Sequence, residues 1–283
     1  LTGEIQTALL RPVKKGDWSN GVVVRGLISP SAIDQIGRLK SVFAQASPFP
    51  HVVIDDFLLL DAADAIHDEA RATAANVDAS NAITQKLKIA CTDWDAFGPA
   101  TARLIAYFNS SKFIEPLEMI SGIDGLFGDP WLEGGGLHQT SRGGFLKMHT
   151  DFNWNAKLRA DRRINILYYL NRDWSTEYGG ELVLSRLGHG EAARIAPKFN
   201  RLVIFNTNDT TLHGHPEPLE FPADYPRASI AMYYYSAGLE VKERLRHRAT
   251  TTRYIPLGRG DIDLRSGSLR ARLGYLLRRF TRF

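Results

Sequence analysis

The chain has one cysteine, Cys91, in 283 residues, so no intrachain disulfide framework and no cysteine-rich zinc site can form. A chain not stapled by disulfides fits a reducing cytoplasm, which is the expected location. No run approaches the ~18 apolar residues that a transmembrane helix needs, and no secretory signal is visible. Glycine and proline, 24 and 13 residues, are too few for collagen-like or low-complexity architectures. There is no internal repeat and no Gly/Ser- or Pro-rich linker. With 44% hydrophobic and 23% charged residues, the chain can build a large core, and a wholly disordered protein is excluded. It begins at Leu1 rather than Met, so we expect a native N-terminus to have been removed.

Excess positive charge is confined to the tail. Residues 242–283 hold twelve Lys or Arg against three Asp or Glu, a balance of +9. With a net charge of +4, residues 1–241 therefore sit near −5. The basic character belongs to the tail, so the body offers no phosphate-tracking surface and nucleic acid is not an expected partner.

The first half reads mainly as helix. Ser31 is the expected cap of a helix with Ile33, Ile36, Leu39 and Phe43 on one face. An entering strand follows near 50–57, and Asp61 caps a second helix running to about Ala75. A third is expected from Pro99 to Ile120, bent or ended near Pro116. Beyond Leu132, short β-rich runs alternate with turns: Gly143–His149, Ile164–Leu170, Glu181–Leu184, Arg201–Phe205 and Ala228–Tyr235. This pattern predicts an α+β chain with a jelly-roll barrel and supporting N-terminal helices. The expected division is a mainly helical support over 1–125, a catalytic core over 126–240 and a basic extension over 241–283.

The chemistry gathers in Lys147-Met148-His149-Thr150-Asp151. Residues i and i+2 of a strand share a face, so His149 and Asp151 can converge on one divalent metal. Thr211-Leu212-His213-Gly214-His215 offers a third ligand, and two histidines with one carboxylate make the facial triad of non-haem Fe(II) oxygenases. Arg227 opens a later strand, and its guanidinium can clamp a dicarboxylate.

These pieces resemble the Fe(II)/2-oxoglutarate-dependent dioxygenases, particularly their prolyl-4-hydroxylase-like branch. The order is similar from about Gly134 to Ser236. It runs His149-x-Asp151, Tyr168-Tyr169-Leu170-Asn171 with Trp174, Gly179-Gly180-Glu181-Leu182, Pro197-Lys198-Phe199-Asn200-Arg201-Leu202, His213 and Arg227. Pro48-Phe49-Pro50-His51 with Asp55-Asp56-Phe57 is a weaker match, to the first strand of many bacterial members.

The resemblance implies a double-stranded β-helix, a cupin-like squashed barrel. It implies Fe(II) held by His149, Asp151 and His213, with His215 at a position usually filled by valine. It assigns Arg227 to the distal carboxylate of 2-oxoglutarate, assisted by Tyr169; Tyr168, its strand neighbour, faces the other way. O2 and 2-oxoglutarate are the implied cosubstrates, and the implied reaction hydroxylates an unactivated C–H bond with release of succinate and CO2. The substrate is a prolyl residue of a peptide or protein, or a small metabolite. His138, Arg142, Asn153, Trp154 and His215 are candidates to line its pocket, and the proline-rich stretch Pro216–Pro226 is expected at the pocket mouth. A non-catalytic or sensor protein of the same cupin-like fold is the alternative, one that would need neither Arg227 nor Tyr169.

Gly134-Gly135-Gly136 lacks the lysine of a phosphate-binding loop. His51, His67, His189 and His247 read as surface or structural, and Cys91 as a small packed residue. In the tail, Leu269, Leu273, Leu276, Leu277 and Phe280 fall at helical spacing among arginines. A basic amphipathic helix over 268–283 would pack on the enzyme's own barrel or make peripheral contact with an anionic inner-membrane surface or a partner.

Overall fold

The computed structural model describes residues 27–74, 80–82, 85–188, 192–237 and 249–254. The expected helix 268–283, His189 and His247 lie outside these residues. No helix among the described residues is long and apolar enough to cross a membrane.

Helix α1 (Pro30–Gln45) is capped by Ser29 rather than Ser31. The Ser29 hydroxyl accepts the Ala32 N–H at 3.2 Å, and Pro30 takes the first helical position, where a missing N–H costs nothing. Its buried stripe is Ala32, Leu39 and Phe43. Helix α2 (Leu60–Ala74) carries Asp61 in its first turn. The expected third helix is two, α3 (Pro99–Phe108) and α4 (Ser111–Ser121), with Asn109 closing one and Ser110 opening the next. Short polar side chains compete for backbone bonds and favour such junctions. Pro116 lies inside α4, where it removes one helix bond without ending the helix.

The strands are β1 (His51–Ile54), β2 (Ser80–Ala82), β3 (Gln85–Cys91), β4 (Leu126–Gly128), β5 (Gly136–Thr150), β6 (Trp154–Asn155), β7 (Ala160–Tyr169), β8 (Leu182–Arg186), β9 (Ala192–Ile195), β10 (Arg201–Asn206), β11 (Thr211–His215), β12 (Arg227–Ser236) and β13 (Arg253–Tyr254). The main path runs β1-β10-β7-β12-β5-β11-β8-β9 through antiparallel pairs. Strand β5 joins the two halves of the barrel: its first residues pair with β12 and its last with β11. The curled sheet with helices on one face is the double-stranded β-helix that the family resemblance implies.

Three differences bear on the site. Strand β5 starts at Gly136, so the glycine-rich stretch leads directly into a strand. The first 125 residues supply strands as well as helices, and β3 lies alongside β5. Part of the tail returns to the sheet, where β13 pairs with the end of β5.

The core is split by the barrel wall. Tyr168 faces a large apolar cluster shared with α1 to α4, including Phe57, Phe108, Phe113 and Leu117. Tyr169 faces the barrel interior with Leu182, Leu184, Val203 and Phe205.

Candidate metal centre and cosubstrate pocket

His149 is the penultimate residue of β5, and His213 sits directly opposite it on β11. Their rings lie 4.3 Å apart between centroids. Asp151 follows β5 by one residue and turns its carboxylate to the same point. His149 Nε2 is 3.5 Å from Asp151 Oδ1, and His213 Nε2 is 3.3 Å from Asp151 Oδ2. One ligand atom from each of the three residues falls within 4.8 Å of the others.

The close approach of β11 to β5 depends on Gly214. A Cβ there would stand 2.7 Å and 2.9 Å from the carbonyl oxygens of Leu146 and Lys147. Every other residue type would push the two histidine-bearing strands apart.

The ligands are fixed from behind. His149 Nδ1–H donates to the Lys147 carbonyl at 2.8 Å, which leaves Nε2 with its lone pair toward the centre. Asp151 Oδ2 accepts Arg162 Nη2 at 2.7 Å and Asn165 Nδ2 at 2.7 Å. Arg162 is itself buried between the rings of Phe152 and Tyr233, 4.7 Å and 3.4 Å from their centroids. Burial alone would raise the pKa of Asp151. The charge of Arg162 and the facing histidines outweigh it and hold the carboxyl well below its ordinary range. Burial pushes His213 down to about 3, partly offset by the Asp151 charge. An ionised carboxylate and two imidazoles, one of them held neutral by burial, are the donor set that a divalent cation takes. The residues therefore fit Fe(II).

The same cavity ends at Arg227, at the start of β12. Its Nε donates to the Gly180 carbonyl at 2.6 Å, and its Nη2 donates to the Tyr169 hydroxyl at 3.2 Å. Gly180 is in the left-handed region (φ 76°), and a Cβ there would lie 2.9 Å from Arg227 Cδ. Burial raises the pKa of Tyr169 against the pull of Arg227, so its proton is retained for donation. Tyr168 points away and donates to Asn200 Oδ1 at 2.9 Å.

The other candidates separate cleanly. His138 and His215 line the cavity with the triad. His215 is buried, and its Nδ1 has no hydrogen-bond partner among the described residues. Arg142, Asn153 and Trp154, expected at the pocket, do not line it. Arg142 sits on the outside in a 2.8 Å ion pair with Glu220, both more than half exposed. Asn153 pins the returning tail: its N–H donates to the Ala249 carbonyl at 2.9 Å and its Oδ1 accepts Ala249 N–H at 2.6 Å. Trp154 stands half-buried on β6 opposite Asp161. The loop after His215 packs back onto the β5 turn, through Leu219 N–H to Gly144 O at 2.9 Å and Gly143 N–H to Leu219 O at 2.7 Å. His67 is structural, its Nδ1–H donating to Leu170 O at 2.7 Å, and Cys91 is buried.

The sequence did not point to Lys88 or Tyr254. Tyr254, on β13, lays its ring 5.2 Å from that of His149. Lys88 enters the cavity from β3. The residue before it, Leu87, has φ 52°, a left-handed conformation that costs roughly 1–3 kcal/mol for a side chain of this kind.

Residues 135–235 match the family model of the 2OG-Fe(II) oxygenase superfamily. The matched stretch, 101 of the 283 residues, contains the triad, Tyr169 and Arg227, and supports a 2-oxoglutarate-dependent dioxygenase with Fe(II) as cofactor. No curated protein matches the sequence. Among solved structures, a prolyl 4-hydroxylase of Phytophthora capsici is similar at 23% identity and TM-score 0.53, over 77% of this chain and 68% of that one. A prolyl hydroxylase of Trichoplax adhaerens, in complex with a hypoxia inducible factor peptide fragment, is similar at 19% identity and TM-score 0.52, over 78% and 98%. These two likenesses establish the barrel fold. A Pseudomonas putida prolyl-4-hydroxylase aligns at 18% identity and TM-score 0.48, over 72% and 100%.

Proposed function

We propose that the chain hydroxylates an unactivated C–H bond at the expense of 2-oxoglutarate, in the manner of the prolyl-hydroxylase-like branch. The observation that carries this reading is the pairing of two sites in one cavity. A two-histidine, one-carboxylate centre stands at one end, and a tyrosine-backed arginine at the other. A metal-binding sensor of the same fold would have no use for the second site.

In this reading His149 Nε2, His213 Nε2 and Asp151 Oδ1 hold Fe(II), while Arg162 and Asn165 occupy Oδ2 and keep the carboxylate from rotating. Arg227 and the Tyr169 hydroxyl take the distal carboxylate of 2-oxoglutarate, which turns its 2-oxo acid end toward the triad. When bound, the iron supplies the activation of O2 and the oxidative decarboxylation of the cosubstrate. The side chains supply position, charge balance and a site shielded by the barrel wall. No protein nucleophile is required. The substrate is a prolyl residue of a peptide or protein, or a small metabolite; the peptide-bound Trichoplax structure supports the first class.

The test is succinate formation from 2-oxoglutarate with Fe(II), screened against peptides and small metabolites. Turnover should require both Fe(II) and 2-oxoglutarate and vanish in His149→Ala. Full substrate-coupled turnover in that variant would overturn the assignment.

A further inference from the structure

The histidines around the cavity are held by what they bond, with one exception. His149 donates its Nδ1–H to the Lys147 carbonyl, and His138 donates Nε2–H to the Gly135 carbonyl at 3.1 Å. His213 turns Nε2 toward Asp151, 3.3 Å away. His215 lines the same cavity, yet its Nδ1 is buried with no hydrogen-bond partner among the described residues. Burying an imidazole in this way costs free energy that a bound ligand can offset.

The strand pairings put His215 beside Arg227. Strand β5 pairs with β3 along one edge, and with β12 and then β11 along the other. On that second edge Arg227 opposes Thr140 and His215 opposes Leu146. Residues 141–145 between them carry a bulge. Strand β3 covers the step from Phe145 to Thr140 with only Lys86 to Lys88, about 7 Å at most. A second path closes the same corner. Arg227 Nε donates to the Gly180 carbonyl, Gly180 stands two residues before β8, and Val183 of β8 pairs with Gly214, the neighbour of His215. The start of β8, the end of β11 and the start of β12 therefore meet where Arg227 presents its guanidinium. From the metal side, His215 is two residues beyond His213, about 7 Å along the strand, and both line the cavity. Burial, and then the charge of Arg227, hold its pKa well below the ordinary range, so the ring keeps one N–H and one lone pair. A carboxylate offers about four lone-pair sites, and Arg227 with Tyr169 leaves room there for another donor.

We propose that His215 is a specificity-determining residue of the cosubstrate site, donating an imidazole N–H to the distal carboxylate of 2-oxoglutarate beside Arg227 and Tyr169. The proposal rests on the oxygenase reading of the same cavity. Its test titrates Mn(II)-loaded protein with 2-oxoglutarate and with 2-oxovalerate, which carries a methyl group in place of the distal carboxylate. Water-proton relaxation of the bound Mn(II) reads the binding of both. His215→Leu, close in bulk but without a donor, should weaken 2-oxoglutarate about tenfold or more, the worth of a hydrogen bond to a charged group. It should leave 2-oxovalerate unchanged. His215→Gln, which restores an N–H donor, should recover most of the loss. Mn(II) affinity should match wild type in both variants and reports an intact fold; His215→Val replaces the leucine variant if that one does not hold Mn(II). Undiminished 2-oxoglutarate affinity in the donorless variant overturns the proposal. So does an equal loss for 2-oxovalerate, which would make His215 a packing residue; in both cases the oxygenase reading stands. Failure of the wild-type protein to bind Mn(II) or 2-oxoglutarate is a separate outcome, and it overturns the oxygenase reading and the proposal together.

Discussion

Tyr168 and Tyr169 are neighbours on β7, both fully buried, and they belong to two different regions of the molecule. Tyr168 faces the helices, its ring tilted against that of Phe57, with its hydroxyl bonded to Asn200. Tyr169 faces the barrel interior, with its hydroxyl bonded to Arg227. On the helix side, polar groups serve the chain itself: Asn200 also accepts Leu58 N–H at 2.8 Å and donates to Leu58 O at 2.9 Å, tying β10 to the start of α2. On the cavity side, acceptors converge on one another, an ionised carboxylate is buried, and the Nδ1 atoms of His213 and His215 lack partners among the described residues. Such an arrangement is costly in an empty protein. It becomes favourable when a cation and an anion occupy the two ends. The helix face stabilises the fold, and the cavity face spends part of that stability on binding.

Substitutions should separate the two faces. Asp151→Ala removes a ligand outright and should lower metal affinity by more than the roughly 100-fold typical of losing an outer partner; metal retention after gel filtration measures it. Arg227→Met should cost about 2–5 kcal/mol of 2-oxoglutarate binding, on the order of 30- to 5,000-fold, read as a raised KM with the fold intact. Phe108→Ala, deep on the helix side, should instead cost about 3–5 kcal/mol of stability. Urea titration measures that loss, and the folded fraction should keep its KM for 2-oxoglutarate. A large KM change in this variant would erase the distinction between the faces.

The fourth expectation concerns pH in the metal-free protein. His213 is held neutral in the folded state down to about 3, whereas the unfolded chain takes up its proton near 6.5. The unfolded state therefore binds more protons between these values. Stability should be intact above 6.5 and fall as pH drops toward 3, at up to about 1.4 kcal/mol per pH unit for this group. Bound metal should oppose the loss, because the ligated imidazole cannot protonate. Thermal melts across this range, with and without Mn(II), test it. The smallest effect belongs to Tyr168→Phe, which loses one buried hydrogen bond worth about 1 kcal/mol and should leave catalysis unchanged.

Much of the cavity face was legible in the chain because its chemistry is local. His149 and Asp151 sit two residues apart, and Arg227 heads an apolar strand. The helix boundaries were less so. Ser29 and Ser31 are equivalent in type, and only Pro30 at the first helical position favours Ser29 as cap. Asn109-Ser110 reads as an ordinary polar pair until both helix ends are seen. Strand β3 was hidden because its side chains are mixed, QKLKIAC, and its place beside β5 is set by pairing more than forty residues away in sequence. Lys88 was hidden with it. The places of Arg142 and Asn153 were not legible, because proximity to the metal motif does not say which way a turn points. One residue pairs with Glu220 outside the barrel and the other anchors the returning tail at Ala249.

The account stands on a single cavity that binds a metal at one end and a dicarboxylate at the other. Calorimetry of 2-oxoglutarate binding, with and without Mn(II), tests this directly. The expected result is one molecule bound per chain when metal is present, binding lost in Asp151→Ala, and binding weakened at least about 30-fold in Arg227→Met. Binding that is indifferent to the metal, or equally tight without Arg227, would contradict it.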